Sequence, residues 1–395
     1  MISIKTFGKA IKVITKKRSF RNICVIFFIT FIIFLYQKGT FDTFLRHTEL
    51  YEYLPWWAQS EIFPDRNDTV AYYAYGMLTY DQQQLYDDMF TCISHHSSLL
   101  RTRSTSKNTI QRVYEAVISD HAEIYWVDGF IIREHDLGRS AQYFDFVPQY
   151  TMSKREAISY ASDLRNTVST LLQDAPRSGS DYEKSKWVYE YLAQNMVYDR
   201  DAKYNQNLLS SLLYKKSVCR GYAAAAQYLL RELGIESVII SGTWNGTPHA
   251  WNMSKLDGYF YHMDTTLSQS ELSVGNDQIQ LIDYSYLNMT TEELLREHSI
   301  TASFPLPSCT HQEDNFYFSE HTYLATYDTS RIDHMIRTAY TSHRPYLSLK
   351  CSSYELFRRY EQYVRSHADE ILQGEGNILY YSSTPALYCL TIYFP

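Results

Sequence analysis

Apolar and polar positions follow two periods along this chain. After Ser180, with Glu183 three residues on, Trp187, Val188, Tyr191 and Leu192 recur at helical spacing. The same capping-box signature, Ser153 with Glu156, opens a helix predicted over 151–178 and closed by Pro176. Helices are also predicted at 81–99, 110–118 and 354–372. Apolar runs of strand length are IYWVDGFII at 124–132, IESVIISGT at 235–243, ILYYSS at 378–383 and LYCLTIYF at 387–394. RTRSTSKN at 101–108 reads as a polar loop. Helices and strands mix without a fixed repeat, so the fold class is α+β. The chain divides into a linker at 39–70, an α+β unit at 71–178, a second unit at 179–305 and a C-terminal α+β unit at 306–395.

The first residues break this pattern. Lys5, Lys9, Lys12, Lys16, Lys17, Arg18 and Arg21 precede ICVIFFITFIIFLY, 14 uncharged residues from Ile23 to Tyr36. A basic flank before an apolar run is an export signal. No A-x-A-like site follows it, so it reads as an uncleaved anchor. Residues 1–22 are then a cytoplasmic basic segment and 23–38 a single membrane-spanning anchor, with the rest extracellular. The whole chain has 37 bases and 44 acids. Setting the seven leader bases aside leaves 30 against 44, a net charge of −14. That balance argues against nucleic acid as a partner.

Composition adds two facts. Apolar residues at 45% and charged residues at 21% describe a globular chain rather than a disordered one. The 37 Tyr are read as a strand-rich, half-buried exterior. Six cysteines are too sparse for a disulfide scaffold, and Cys24 falls in the apolar run. No zinc or nucleotide signature occurs, so no metal or cofactor is expected.

One cysteine has a reactive setting. Cys219 opens a predicted helix, with Ser217 as its N-cap and Gly234 at its C′ position. Free N–H groups and the positive dipole end favour a thiolate there. Gly221 is read as room for a substrate, and Ala223 to Ala226 as a surface for close packing. A lone cysteine is more often a buried structural residue. The next segment shifts that balance. Asp257-Gly258 between alternating apolar runs predicts a two-residue hairpin. Pairing 256 with 259 sets Trp251 opposite Asp264 and His249 opposite Thr266, so His249 and Asp264 share a face. His262, opposite Met253, is expected on the other face, which selects His249. A carboxylate on one imidazole nitrogen leaves the other to serve a thiol.

These residues resemble a known group. SVCRGYAAAAQYLLRELGI, then HAWN, then DGYFYHMDTT are similar to the transglutaminase-like superfamily, over about 181–290. The resemblance implies a papain-like core in 179–305, a helix carrying the cysteine packed on an antiparallel sheet. It implies Cys219 as nucleophile, His249 as general base and acid, and Asp264 as the orienting carboxylate. Members often carry Trp after Asp-x-Thr; Leu267 stands here instead. Tyr198 is a candidate for the oxyanion hole by position. The implied activity is acyl transfer from protein or peptide amides through a thioester, ending in cross-linking or hydrolysis. The alternative is a catalytically silent surface-binding protein that uses the core as scaffold.

Overall fold

The computed structural model describes residues 70–394, apart from 103, 105, 137–141, 275 and 373–378. The basic segment at 1–22, the anchor predicted at 23–38 and all but residue 70 of the linker lie outside the described residues. Among those described, no helix is long and apolar enough to cross a membrane.

The N-terminal unit packs α1 (Tyr80–Ser94) and α2 (Lys107–Asp120) beside a hairpin, β1 (Val127–Asp136) and β2 (Gln142–Tyr150). Both predicted capping boxes form. Glu156 accepts the Ser153 N–H at 2.9 Å and starts α3 (Lys154–Leu171). Glu183 accepts the Ser180 N–H at 2.8 Å and starts α4 (Asp181–Asn195). The predicted helix at 81–99 ends earlier, at Ser94, because His96 turns into the left-handed region at φ 59°.

At the centre lie α5 (Cys219–Glu232) and a four-stranded antiparallel sheet. The strands are β3 (Glu236–Trp244), β4 (Thr247–Leu256), β5 (Tyr259–Met263) and β6 (His298–Ile300), in the order β6-β3-β4-β5. Val238, Ile239 and Ile240 on β3 are all buried, as a central strand covered on both faces requires. Helix α5 packs on β3 and β4 and on neighbouring helices, and its four alanines are all buried. Asn252 Nδ2 donates to the Ala223 carbonyl at 2.9 Å. Gln227 Nε2 donates to Ser237 on β3 at 2.9 Å and to Ser119 on α2 at 2.6 Å. One buried amide thus ties the N-terminal unit to the central sheet.

The C-terminal unit has its own sheet: β7 (Tyr346–Cys351) and β8 (Tyr380–Thr384) flank β9 (Cys389–Tyr393). Helices α6 (Thr329–Thr341) and α7 (Tyr354–Ser366) pack on it. The amphipathic helix predicted over 354–372 is interrupted at His367 and resumes as Ala368–Leu372. One apolar cluster takes in residues from Tyr73 to Tyr317 together with Leu387 and Cys389, and a second runs from Leu324 to Phe394. Most described tyrosines are half-buried or exposed, as expected, but a minority fill the interior. Tyr86, Tyr125, Tyr189, Tyr261, Tyr317 and Tyr360 are among the largest fully buried side chains. Their hydroxyls find acceptors, as in Tyr125 to the Ala157 carbonyl at 2.6 Å.

Candidate active site

Cys219 is the first residue of α5. The cap is Val218, not Ser217, and no side chain caps the helix. Ser217 instead donates to the Asn205 carbonyl at 2.6 Å. Gly221 N–H already turns back to the Val218 carbonyl at 2.9 Å, so the N–H groups of Cys219 and Arg220 are the ones left for a ligand. Gly221 serves packing rather than substrate access, because a Cβ there would meet Ser217 Oγ at 1.8 Å. At the far end, Gly234 takes φ +86° and Ile235 N–H returns to the Leu230 carbonyl at 2.9 Å. That is a Schellman stop, in the predicted place.

The hairpin takes the expected register. Leu256 pairs with Tyr259 and Asn252 with Met263. Asp257 and Gly258 both take positive φ, as the tight turn demands. His249 and Asp264 meet: His249 Nε2 lies 2.7 Å from Asp264 Oδ2. Cys219 also acts on His249, as a hydrogen-bond partner and as a charge. Burial pulls the His249 pKa down, but Asp264 and then Cys219 outweigh it and raise it to about 10. Burial pushes Asp264 up, but His249 and His298 outweigh that and hold it well below the ordinary carboxylate range.

His262 requires a correction. It stands two residues from Asp264, so it lies on the same face and not the opposite one. Its bonds, not its face, keep it out of the chemistry. Trp251 Nε1 donates to His262 Nδ1 at 3.2 Å, and Nε2 faces Thr291 Oγ1 at 3.2 Å. Burial, then the charge of His298, lower its pKa to about 3. It is a neutral core histidine.

Two neighbours escaped the sequence reading. His298 on β6 places Nε2 3.1 Å from Asp264 Oδ2 and Nδ1 3.2 Å from the Leu294 carbonyl. Both partners are acceptors, and only the doubly protonated ring donates to both. Trp244, paired with His298, has its ring 6.2 Å from that of His249. Its Nε1 is buried without a hydrogen-bond partner. Tyr198 pairs with Ser217 on a short parallel strand, with an exposed side chain.

The ligand atoms of His249, Asp264 and His298 lie within 4.8 Å of one another, a spacing able to hold a divalent ion. An ion there would displace the His249–Asp264 hydrogen bond. The arrangement as it stands suits a thiol, a base and an orienting carboxylate.

Residues 170–265 match the family model of the transglutaminase-like superfamily. No curated protein matched the chain. Among solved structures, a TGase is 16% identical over 37% of this chain and 45% of that chain, with a TM-score of 0.26. A putative cysteine protease from Cytophaga hutchinsonii is 15% identical over 35% of this chain and 62% of that one, with a TM-score of 0.22. Menin is 16% identical over 52% and 47%, with a TM-score of 0.24. The chain spans less than two thirds of each. Cys219, His249 and Asp264 all lie within the segment, 170–265, that matches the transglutaminase-like superfamily.

Proposed function

We propose that this protein is a cysteine acyl-transfer enzyme acting on protein or peptide amides, with Cys219, His249 and Asp264 as its catalytic residues. The observation that carries this reading is the His249–Asp264 bond at 2.7 Å, with Cys219 close enough to act on the same imidazole. The Cys219 thiolate attacks the amide carbonyl, forming a C–S bond. The uncapped N–H groups of α5 face the developing oxyanion. The imidazolium of His249 gives its proton to the leaving amine as the C–N bond breaks, leaving a thioester. A second amine then yields an isopeptide, or water yields an acid, with His249 taking the incoming proton. Asp264 holds the ring in place and stabilises its charge throughout.

The basic flank and apolar run at 5–36 support a membrane-anchored enzyme with its catalytic unit outside the cell. The test compares the full chain with its Cys219→Ala variant on a protein and peptide pool containing a labelled primary amine, read by mass spectrometry. Cys219-dependent amine incorporation identifies a transglutaminase. Cys219-dependent cleavage alone identifies a hydrolase. Neither product would leave the silent surface-binding protein as the better account.

A further inference from the structure

The residue after Cys219 carries a charge that acyl transfer does not need. Arg220 is part-buried on the first turn of α5. Its Nη2 donates to the Ile118 carbonyl at 2.7 Å, the single hydrogen bond its guanidinium makes among the described residues. A guanidinium has five N–H donors and stays charged at any ordinary pH. The groups that act on its charge are Tyr114 and Cys219, and no carboxylate is among them.

Two cavities meet at this side chain. One, of about 480 Å³, is lined by Tyr114, Asn205 and Ala224. The other, of about 170 Å³, is lined by Ser241, Thr301 and Phe304. Ile118 and Arg220 line both. Asp128 lines the larger and Glu115 the smaller, yet Glu115 Oε1 is engaged by Gln111 Nε2 at 2.6 Å. A sheltered cation with idle donors is costly unless an anion completes it. A carboxylate matches the guanidinium fork with two parallel hydrogen bonds. The larger cavity is within the size range of small-ligand sites.

We propose that Arg220, at the junction of these cavities, binds a carboxylate of the acyl substrate and so selects peptides that carry one near the amide attacked. The inference rests on the reading of Cys219 as nucleophile. Neighbouring Cα atoms are about 3.8 Å apart, and an extended peptide rises about 3.3 Å per residue. The carboxylate therefore belongs within about two or three residues of the scissile carbonyl. It comes from a free C-terminus or from an acidic side chain.

The test uses the full chain with Cys219→Ala, so that peptides bind without turnover. Three probes are titrated by calorimetry or NMR: acetyl-Ala-Ala-Ala with a free carboxylate, its C-terminal amide, and acetyl-Ala-Glu-Ala amide. A carboxylate peptide is expected to bind about tenfold or more tighter than the neutral amide. Which of the two gains identifies the source. Adding Arg220→Gln is expected to erase the preference. Arg220→Lys keeps a charge but not the fork, and is expected to lose at least about threefold of it. Equal affinity for all three peptides, no binding of any, or an unchanged preference in either variant overturns the proposal. The readout is binding to a protein without the thiol. Its failure is therefore separate from a failure of the amine-incorporation test.

Discussion

At Asp264 one carboxylate oxygen accepts the Thr266 N–H at 3.0 Å while the other receives His249 at 2.7 Å and His298 at 3.1 Å. The residue caps the next turn and holds the His249 ring at once. Its charge sets the titration of His249. The folded pKa of about 10 stands above the ordinary value near 6.5. The stability this contributes is fully present below about pH 6.5 and is lost as pH rises through about 10. Asp264→Asn is expected to bring the His249 titration, followed by NMR, down to the ordinary value or below. An unchanged midpoint would contradict the assignment of its cause. His298→Ala removes a hydrogen bond to a buried carboxylate and is expected to cost about 1.5–3 kcal/mol in urea unfolding. The meeting of His249 and Asp264 was legible because the Asp257-Gly258 turn fixes a local register. His298 was not, because it joins the site through pairing with Trp244, 54 residues away in sequence.

The strand β6 shows the same limit one level up. Three residues, His298–Ile300, carry too little alternation to read as a strand. Their place is set from across the sheet by Gly242. A Cβ at Gly242 would meet the Ser299 carbonyl at 1.9 Å and the Trp251 ring at 2.6 Å. Gly242→Ala is therefore expected to push β6 from the sheet edge at a cost of about 1–3 kcal/mol. Circular dichroism melts read the loss, and NMR reads a shifted His298 ring. Helix α5, by contrast, was readable at both ends, with Gly234 as its stop. Its start was misread at one position: Ser217 lies in a parallel strand pair with Tyr198, and strand pairing of this kind leaves no local mark.

Across the described residues, tyrosines such as Tyr86, Tyr189 and Tyr317 fill the interior, where ring area and a satisfied hydroxyl are supplied together, while Tyr80, Tyr198 and Tyr259 stay exposed. Composition gave their number but not their side of the surface. The C-terminal unit meets the central one through a buried ion pair, Lys350 on β7 with Glu293. Burial raises the Glu293 pKa, but Lys350 outweighs it and the net shift is downward. The pair's contribution is present above the ordinary carboxylate value and is lost as pH falls below it. Lys350→Ala leaves the buried Glu293 without its counter-charge and is expected to cost about 3–5 kcal/mol, with a flatter acid limb in unfolding titrations. The anchoring of the chain at 23–38 is a reading of the sequence, and fractionation of the full chain with and without 1–38 decides it.

The central claim is that Cys219 is activated by His249. The direct measurement is the rate of iodoacetamide labelling at each cysteine of the full chain between pH 5 and 10, resolved by peptide mass spectrometry, beside His249→Ala. Burial pushes Cys92 and Cys351 to about 12, and Cys309 and Cys389 to about 11. These four are expected to stay unlabelled near neutrality. Cys219 is expected to label first at pH 6–7, faster than a free thiol, and to slow at least about tenfold in His249→Ala. Labelling of Cys219 no faster than a free thiol, or equally fast without His249, would contradict the account.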